Sequence, residues 1–385
     1  MNYFHLKPKY YFGDNAIQGL EKELNLKSFK KVMILSGKSS IFKNGIYDQI
    51  TNILNSVGVE FVVFSGIEPN PRDTTLDKAI ELGRYENVDL IIAAGGGSVI
   101  DASKVIATLI TNTNYDNSWD YVKDNSNITN KPVPIISIIT LAGTASENNS
   151  GSVITNEALK EKCSVLSVYA TPYVAIEDPR YTFTVNKWQT ASGIFDCFSH
   201  LLEQYFGEQT FDWTKEMIFA NMRVLLKNSL KCLHEPSNFL ARANVLWTTS
   251  MSLNGITSFS SDSDWSVHVI EHAFSGLWDI THGAGLALIT PVYMKIRGEK
   301  EEWFKNKVIE LGKEVFKTTS FDSTITFIED FIKCIGLPSK WNEFEEIKKF
   351  DDEDALHLLT HTIKFGEPKL KEIYKEVINT IKNNK

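Results

Sequence analysis

The sequence predicts two parts: an α/β N-terminal domain on a parallel sheet, residues 1–182, and an all-helical C-terminal domain, residues 183–385. Three observations carry this. Short apolar runs alternate with segments of helical spacing as far as Pro179, the pattern of strands joined by crossover helices. A three-glycine turn, Gly95-Gly96-Gly97-Ser98, stands between one such run and the helical segment after it. Beyond residue 185 a period near 3.6 residues dominates.

Residues 3–12 are aromatic and β-prone and predict a short strand or hairpin. Lys31–Leu35 is a brief apolar run of the kind a buried parallel strand needs. Residues 41–57 follow helical spacing through Ile46, Ile50, Ile53, Leu54 and Val57. Val59–Phe64 predicts a second strand, Asn70-Pro71 a loop, Thr74–Arg84 a helix and Val88–Ala94 a third strand. After the glycine turn, Val99, Ala102, Val105 and Ile106 mark a helix. Residues 111–131 are polar and predict a surface excursion. Val133–Ile139 is a further strand, ending in the small-residue loop Thr140–Glu147, and Tyr169–Ile176 predicts another. Helical segments follow at 187–205, 210–231, 239–255, 300–317, 322–335 and 367–383. Gly336-Leu337-Pro338 is a stop signal.

The net charge is −8, with no basic block, which argues against nucleic acid and anionic membrane surfaces as partners. Cys163, Cys197, Cys232 and Cys334 are scattered, without a CxxC pair, and read as reduced thiols. No basic n-region precedes an apolar h-region, and no apolar run is long enough to span a bilayer. The expected location is the cytoplasm.

A glycine turn between a buried strand and a helix is where an open sheet receives a dinucleotide, because the backbone can approach a pyrophosphate at the helix N-terminus. The turn is not GxGxxG, and a tight turn also needs glycine. Asp101 and Lys104 on the following helix read as a solvated i, i+3 pair. Thr140, Thr144 and Ser146 could donate to phosphate or ribose, or simply form a turn.

Of eight histidines, three lie at His268, His272 and His282. Asp196 and His200 are spaced i, i+4, which places both side chains on one helix face; His268 and His272 repeat the spacing, and His282 follows a break at Gly276. One such pair alone reads as core packing. Two pairs with His282 favour a mixed oxygen and nitrogen ligand set suited to Fe(II), Zn or Mn. Spacing leaves open which of the three histidines binds. Phe259, Trp265 and Phe274 are candidate pocket walls, though aromatics at these spacings also build plain core.

Gly95–Lys104 resembles the GGGSxxDxxK element of the iron-containing alcohol dehydrogenases, and Thr140–Glu147 resembles their GTxSE loop. Asp196, His200, His268 and His282-Gly283 match that family's ligand pattern. The motifs occur in the family's order over nearly the whole chain. The branch most similar in look is that of the butanol dehydrogenases and NADPH-dependent aldehyde reductases. The one departure, Ala142-Gly143 where many members carry Pro-x or Gly, touches only the loop's path.

The resemblance implies a dehydroquinate synthase-like architecture, with a Rossmann-like dinucleotide-binding domain ahead of the helical one. It implies Asp196, His200, His268 and His282 as ligands of one divalent ion, Fe(II) or in some members Zn. His272 then lies beside the ion without ligating, as the candidate for proton relay or for orienting a ligand. Gly95, Gly96, Gly97 and Ser98 would bind pyrophosphate, Asp101 would lie near the nicotinamide end, Thr140 and Thr144 would line the dinucleotide, and Lys162 would contact ribose. Gly37, Lys38, Ser39, Ser40 and Asn70 complete the cofactor set. Lys38 stands about where NAD-dependent members carry Asp, and a cation with two hydroxyls suits a 2′-phosphate, so NADP(H) is expected over NAD(H). The expected reaction is reversible hydride transfer with a small aldehyde or primary alcohol, in a homodimer. The rival readings are a Zn- and NAD-dependent polyol dehydrogenase, a dehydroquinate synthase-type lyase, and a non-catalytic metal- or nucleotide-binding protein.

Overall fold

A computed structural model of the chain describes residues 6–167 and 169–384. Tyr3 and Phe4, from the expected N-terminal strand, lie outside the described residues. The chain forms two compact units. One runs to Val185 and takes in Pro236–Ser250; the other holds Asn186–Glu235 and the chain from Met251 on. The return of residues 236–250 to the first unit has no counterpart in the hydrophobic period.

The first unit is built on a six-stranded sheet in the order β1-β8-β5-β4-β2-β3. In chain order its elements are β1 (Lys9–Phe12), α1 (Gln18–Leu26), β2 (Lys31–Ser36), α2 (Ser40–Lys43), α3 (Ile46–Ser56), β3 (Glu60–Ser65), α4 (Asp73–Tyr85), β4 (Leu90–Gly95), α5 (Gly97–Thr111), α6 (Ser118–Lys123), β5 (Ile135–Ile139), β6 (Gly151–Asn156), β7 (Glu161–Leu166) and β8 (Val174–Glu177). All neighbours in the sheet are parallel. The central strands are apolar on both faces because helices cover both. Alternation sorts their side chains. Met33, Leu35, Ile91 and Ala93 join one core cluster with residues of α4 and α5. Val32, Ile34, Ile92, Ala94, Ile136 and Ile138 join the other, with residues of α1 and α3.

From β2 the chain goes to β3 on one side and then to β4 on the other. That reversal is a topological switch point, where open sheets receive ligands at the carboxyl ends of strands. The loops after β3, β2, β4 and β5 carry Asn70, Gly37–Ser40, Gly95–Ser98 and Thr140–Thr144, so the order of the sheet sets these candidates side by side.

Several elements differ from expectation. The helix expected over 41–57 is broken at Gly45, whose φ of 75° is left-handed. The polar stretch 111–131 carries α6, which buries Trp119, Tyr121 and Val122. The strand expected over Tyr169–Ile176 shrinks to β8. The antiparallel hairpin β6–β7 was not expected: its residues mix polar and apolar side chains without a clean alternation.

The second unit is helical. Its elements are α7 (Lys187–Tyr205), α8 (Asp212–His234), α10 (Ser266–Trp278), α11 (His282–Lys300), α12 (Glu302–Leu311), α13 (Phe321–Ile335), α14 (Asp352–Phe365) and α15 (Lys371–Asn383); α9 (Phe239–Ser252) joins the two units in sequence. The break expected at Gly276 lies at Asp279, a left-handed C-cap, and Gly276 is inside α10. The Ser320 side chain caps α13 at one end and Gly336, at φ 80°, stops it at the other. Asp351 accepts from the backbone N–H of Glu353 and Asp354 to start α14. No described helix is long and apolar enough to cross a membrane.

Every residue of α7 from Thr190 to Tyr205 is buried, because α8, α10 and α11 pack around it. A helix enclosed on all sides yet carrying Asp196, Ser199, His200, Glu203 and Gln204 must satisfy those groups internally.

Candidate functional site

Three helices of the second unit bring the predicted ligands together. α7 supplies Asp196 and His200 one turn apart, α10 supplies His268 in its first turn, and α11 begins at His282. The Nε2 atoms of His200, His268 and His282 lie 3.4, 3.7 and 3.7 Å from Asp196 Oδ1. The His200 and His268 rings stack with centroids 4.8 Å apart.

These separations are too long for hydrogen bonds. Asp196 Oδ1 and His268 Nε2 are buried and have no hydrogen-bond partner among the described residues. Two ligands each roughly 2.1 Å from one ion, at a tetrahedral angle, lie about 3.4 Å apart. Asp196, His268 and His282 offer ligand atoms all within 4.8 Å of one another, which suits a divalent ion, and His200 Nε2 lies 3.4 Å from the same carboxylate oxygen. Burial alone would push the Asp196 carboxyl up, but the charge of the facing imidazoles outweighs it and holds the group below the usual carboxylate range. Burial pushes His200 down to about 4, against the pull of Asp196, so its imidazole is neutral at ordinary pH. At His268 burial acts downward too, but the Glu203 and Asp196 carboxylates together outweigh it and raise the ring to about 10.

Two carboxylates that the spacing argument missed stand behind the histidines. Glu203 Oε1 accepts from Ser199 Oγ at 3.0 Å and from His268 Nδ1. Its Oε2 accepts from the backbone N–H of Val267 at 2.8 Å and of His268 at 3.2 Å. Glu271 accepts from Ser275 Oγ on one oxygen and from His282 Nδ1 on the other. A signal for Glu203 was present: Asp196, His200 and Glu203 are spaced i, i+4, i+7 along one helix face. Glu271 had none beyond an acid in an otherwise apolar helical segment.

Glycines make room for the contacts. A Cβ on Gly283 would meet Ser192 O at 2.0 Å, so α11 touches the backbone of α7 there. A Cβ on Gly285 would meet Glu271 Cγ and Oε1 at 2.9 Å.

His272 is half-buried, its ring centroid 6.3 Å from that of His268 and 5.6 Å from that of His282. Trp265 sets its edge against His268 at 5.4 Å and His200 at 6.1 Å, which suits a wall beside the ligands. Phe274 does not: it is fully buried and packs on Trp278 and Phe350. Phe259 offers its backbone carbonyl to Thr214 Oγ1 at 2.6 Å.

In the first unit, the glycine turn closes on the loop after β5. A Cβ on Gly96 would lie 3.3 Å from Leu141, and one on Gly97 would lie 2.2 Å from Thr144 Oγ1. The N-cap residue of α5, Gly96, offers no side-chain cap to the helix N-terminus. Thr140 N donates to Gly95 O at 3.0 Å, which fixes the two strand ends together.

Asp101 and Lys104 are not the solvated pair their spacing suggests. Lys104 is fully buried and donates to Ser146 Oγ at 2.8 Å, Asn149 Oδ1 at 3.2 Å and Gly151 O. Asp101 accepts from Ser146 Oγ and, at 2.9 Å, from Val153 N–H. Both residues thus bolt α5 to the loop before β6. Burial pushes the Lys104 ammonium down to about 8, with Asp101 and Glu147 opposing. Lys162 is buried on β7 opposite Thr155, whose N–H donates to Pro71 O at 2.9 Å, so the hairpin is tied to the loop that carries Asn70. Lys38, Ser39 and Ser40 are exposed at the end of β2, and Gly37 lies there against Ile67 O.

Comparison with known proteins bears on both units. A family profile described as iron-containing alcohol dehydrogenase matches residues 7–179, and the C-terminal profile of the Fe-containing alcohol dehydrogenase family matches residues 190–384. The chain is 39% identical over 356 residues to NADH-dependent butanol dehydrogenase A of Clostridium acetobutylicum, covering 88% of each chain. It is 30% identical over 354 residues to the NADPH-dependent aldehyde reductase YqhD of Escherichia coli, covering 89% of each. The crystal structure of NADH-dependent butanol dehydrogenase A from Thermotoga maritima superposes with a TM-score of 0.90 at 30% identity, over 98% of both chains.

Proposed function

The chain belongs to the iron-containing alcohol dehydrogenase family, and from that premise we propose that it transfers hydride reversibly between NADP(H) and a small aldehyde or primary alcohol, such as butanal and butanol. It is an oxidoreductase of the alcohol dehydrogenase and aldehyde reductase kind. The observation that carries the reading is the buried, unpartnered Asp196 Oδ1 with three imidazole nitrogens set around it at 3.4, 3.7 and 3.7 Å.

Asp196, His200, His268 and His282 hold the ion, Fe(II) or in second place Zn. The ion supplies Lewis-acid polarisation of a carbonyl oxygen, and the nicotinamide supplies the hydride. His272, beside His268 and His282 and only half-buried, passes a proton to or from the product oxygen. Gly95, Gly96, Gly97 and Ser98 receive the pyrophosphate at the start of α5, Thr140 and Thr144 line the dinucleotide, and Lys162 reaches its ribose. Asp101 acts through the loop it holds. Relatives named for NADH and for NADPH both occur. The preference for NADP(H) rests on exposed Lys38, Ser39 and Ser40, with Gly37 and Asn70 beside them at neighbouring strand ends.

The thiol character of Cys163, Cys197, Cys232 and Cys334 supports a cytoplasmic location. The edge position of β1 supports a homodimer formed along that strand; a light-scattering mass of a single 43.5 kDa chain would count against it. The deciding experiment is NADPH consumption with butanal by protein stripped of metal and then supplied with Fe(II) or Zn. Turnover that returns with the ion in the wild type and stays absent in Asp196→Ala is the expected result. Turnover at full rate without any ion refutes the reading.

A further inference from the structure

The histidines around Asp196 are not equally held. His268 and His282 each direct Nδ1 at a buried carboxylate, Glu203 and Glu271. His200 Nδ1 is buried and has no hydrogen-bond partner among the described residues. Glu203 also receives Ser199 Oγ and the first two N–H groups along α10 that follow Ser266, so one side chain fixes the backbone and the ring of His268 together. Glu271 is fully buried and occupies space that a side chain at position 285 would take.

An acceptor at Nδ1 favours the tautomer with its proton there, so it is the Nε2 proton, facing Asp196 Oδ1, that an ion would displace. Buried carboxylates are expensive for a fold and weak as a source of stability, so two of them packed behind imidazoles, beside a third at Asp196, call for a compensating cation. We propose that Glu203 and Glu271 are positioning residues for the ion. They hold His268 and His282 ready before it arrives, each through an acceptor oxygen just beyond the ligand ring. This rests on the metal site described above.

The test uses the full chain stripped of metal and titrated with Zn²⁺ alone against a chromophoric chelator. The variants are wild type, Asp196→Ala, Glu271→Gln, Glu271→Met and Glu203→Gln. Gln keeps an acceptor for Nδ1–H and loses the charge; Met loses both. The expected result is Zn²⁺ affinity lower by about tenfold in Glu271→Gln and nearer a hundredfold in Glu271→Met, the range seen when a ligand's outer partner is removed. The Co(II)-loaded Gln variant should also show a shifted visible spectrum. A purely structural role predicts the opposite pattern: a lower Tm of the metal-free protein with wild-type Zn²⁺ affinity. That pattern overturns the proposal. Glu203 also caps α10, so if Glu203→Gln does not fold, the two Glu271 variants decide. Failure of the site itself looks different: wild type binds no Zn²⁺, or Asp196→Ala binds it as tightly as wild type.

Discussion

Replacing Gly283 with Ala adds a single methyl group at the closest approach of α11 to α7. The new Cβ would stand 2.0 Å from Ser192 O, 2.6 Å from Ser192 C and 2.9 Å from Ser192 Cα. Ordinary contact begins near 3.4 Å, so the shortfall is 3.4 − 2.0 = 1.4 Å. All three atoms are backbone, and no rotamer change relieves the overlap. The helices must part by on the order of 1 Å, at a stability cost of about 1–3 kcal/mol that the better helix propensity of Ala offsets only partly. Ser192 lies one turn before Asp196, and Gly283 follows His282, so the displacement falls on the 3.7 Å separation between His282 Nε2 and Asp196 Oδ1. Ligand distances tolerate only about 0.2 Å. Gly283→Ala should therefore lose most of its bound metal, and kcat/KM for butanal should fall by roughly 10²-fold or more. Metal content per chain by mass spectrometry, the kinetics and Tm are measured together. Gly285→Ala serves as the milder comparison, because two of the atoms it meets belong to the Glu271 side chain, which can give. A folded Gly283→Ala protein with one ion per chain and kcat/KM within about twofold of wild type would refute the reasoning.

His272→Ala should keep its metal and slow turnover by roughly 10²- to 10⁴-fold, the span of a lost general acid–base group; loss of metal as complete as in His282→Ala would make it a ligand instead. Lys38→Asp should reverse the coenzyme preference, since one attraction is lost and one repulsion gained, each on the order of 1 kcal/mol in a wet site. The check is kcat/KM for both coenzymes on both proteins, and wild-type preference for NADH would defeat it. Glu147 and Glu177 are buried and share the Ser250 hydroxyl, 2.8 and 2.9 Å from their Oε1 atoms, while Asn148 Nδ2 also donates to Glu147 at 2.7 Å. Burial, then the neighbouring Glu147, raises Glu177 well above its ordinary value of 4.5. The folded state thus binds a proton that the unfolded state releases earlier, so stability is full below the unfolded pKa and is lost as pH rises through the folded one. Glu177→Gln escapes that loss, and its Tm relative to wild type should climb from pH 5 to pH 8; a difference independent of pH would exclude the shifted carboxyl as the cause.

Much of the first unit was legible in the sequence because a strand covered on both faces must be apolar throughout. Met33-Ile34-Leu35 and Val133–Ile139 announce β2 and β5 in that way. The helix expected over 187–205 is α7, residue for residue, because its apolar period runs unbroken. The spacing of Asp196 and His200 is likewise local, set by one turn of helix. What the sequence left undetermined depends on partners distant along the chain. Residues of β6 and β7 mix polar and apolar side chains and alternate weakly, so the hairpin becomes evident only where Ile154, Cys163 and Val165 join the core with α5. Lys104 reads as a surface lysine until Ser146, Asn149 and Gly151 close over it. Glu203 and Glu271 read as ordinary helix acids until α10 and α11 place His268 and His282 against them. The reason is that period and spacing report only which face of an element is apolar or shared. Which groups from other elements meet that face, and whether a buried charge there has a counterpart, is decided by the tertiary packing.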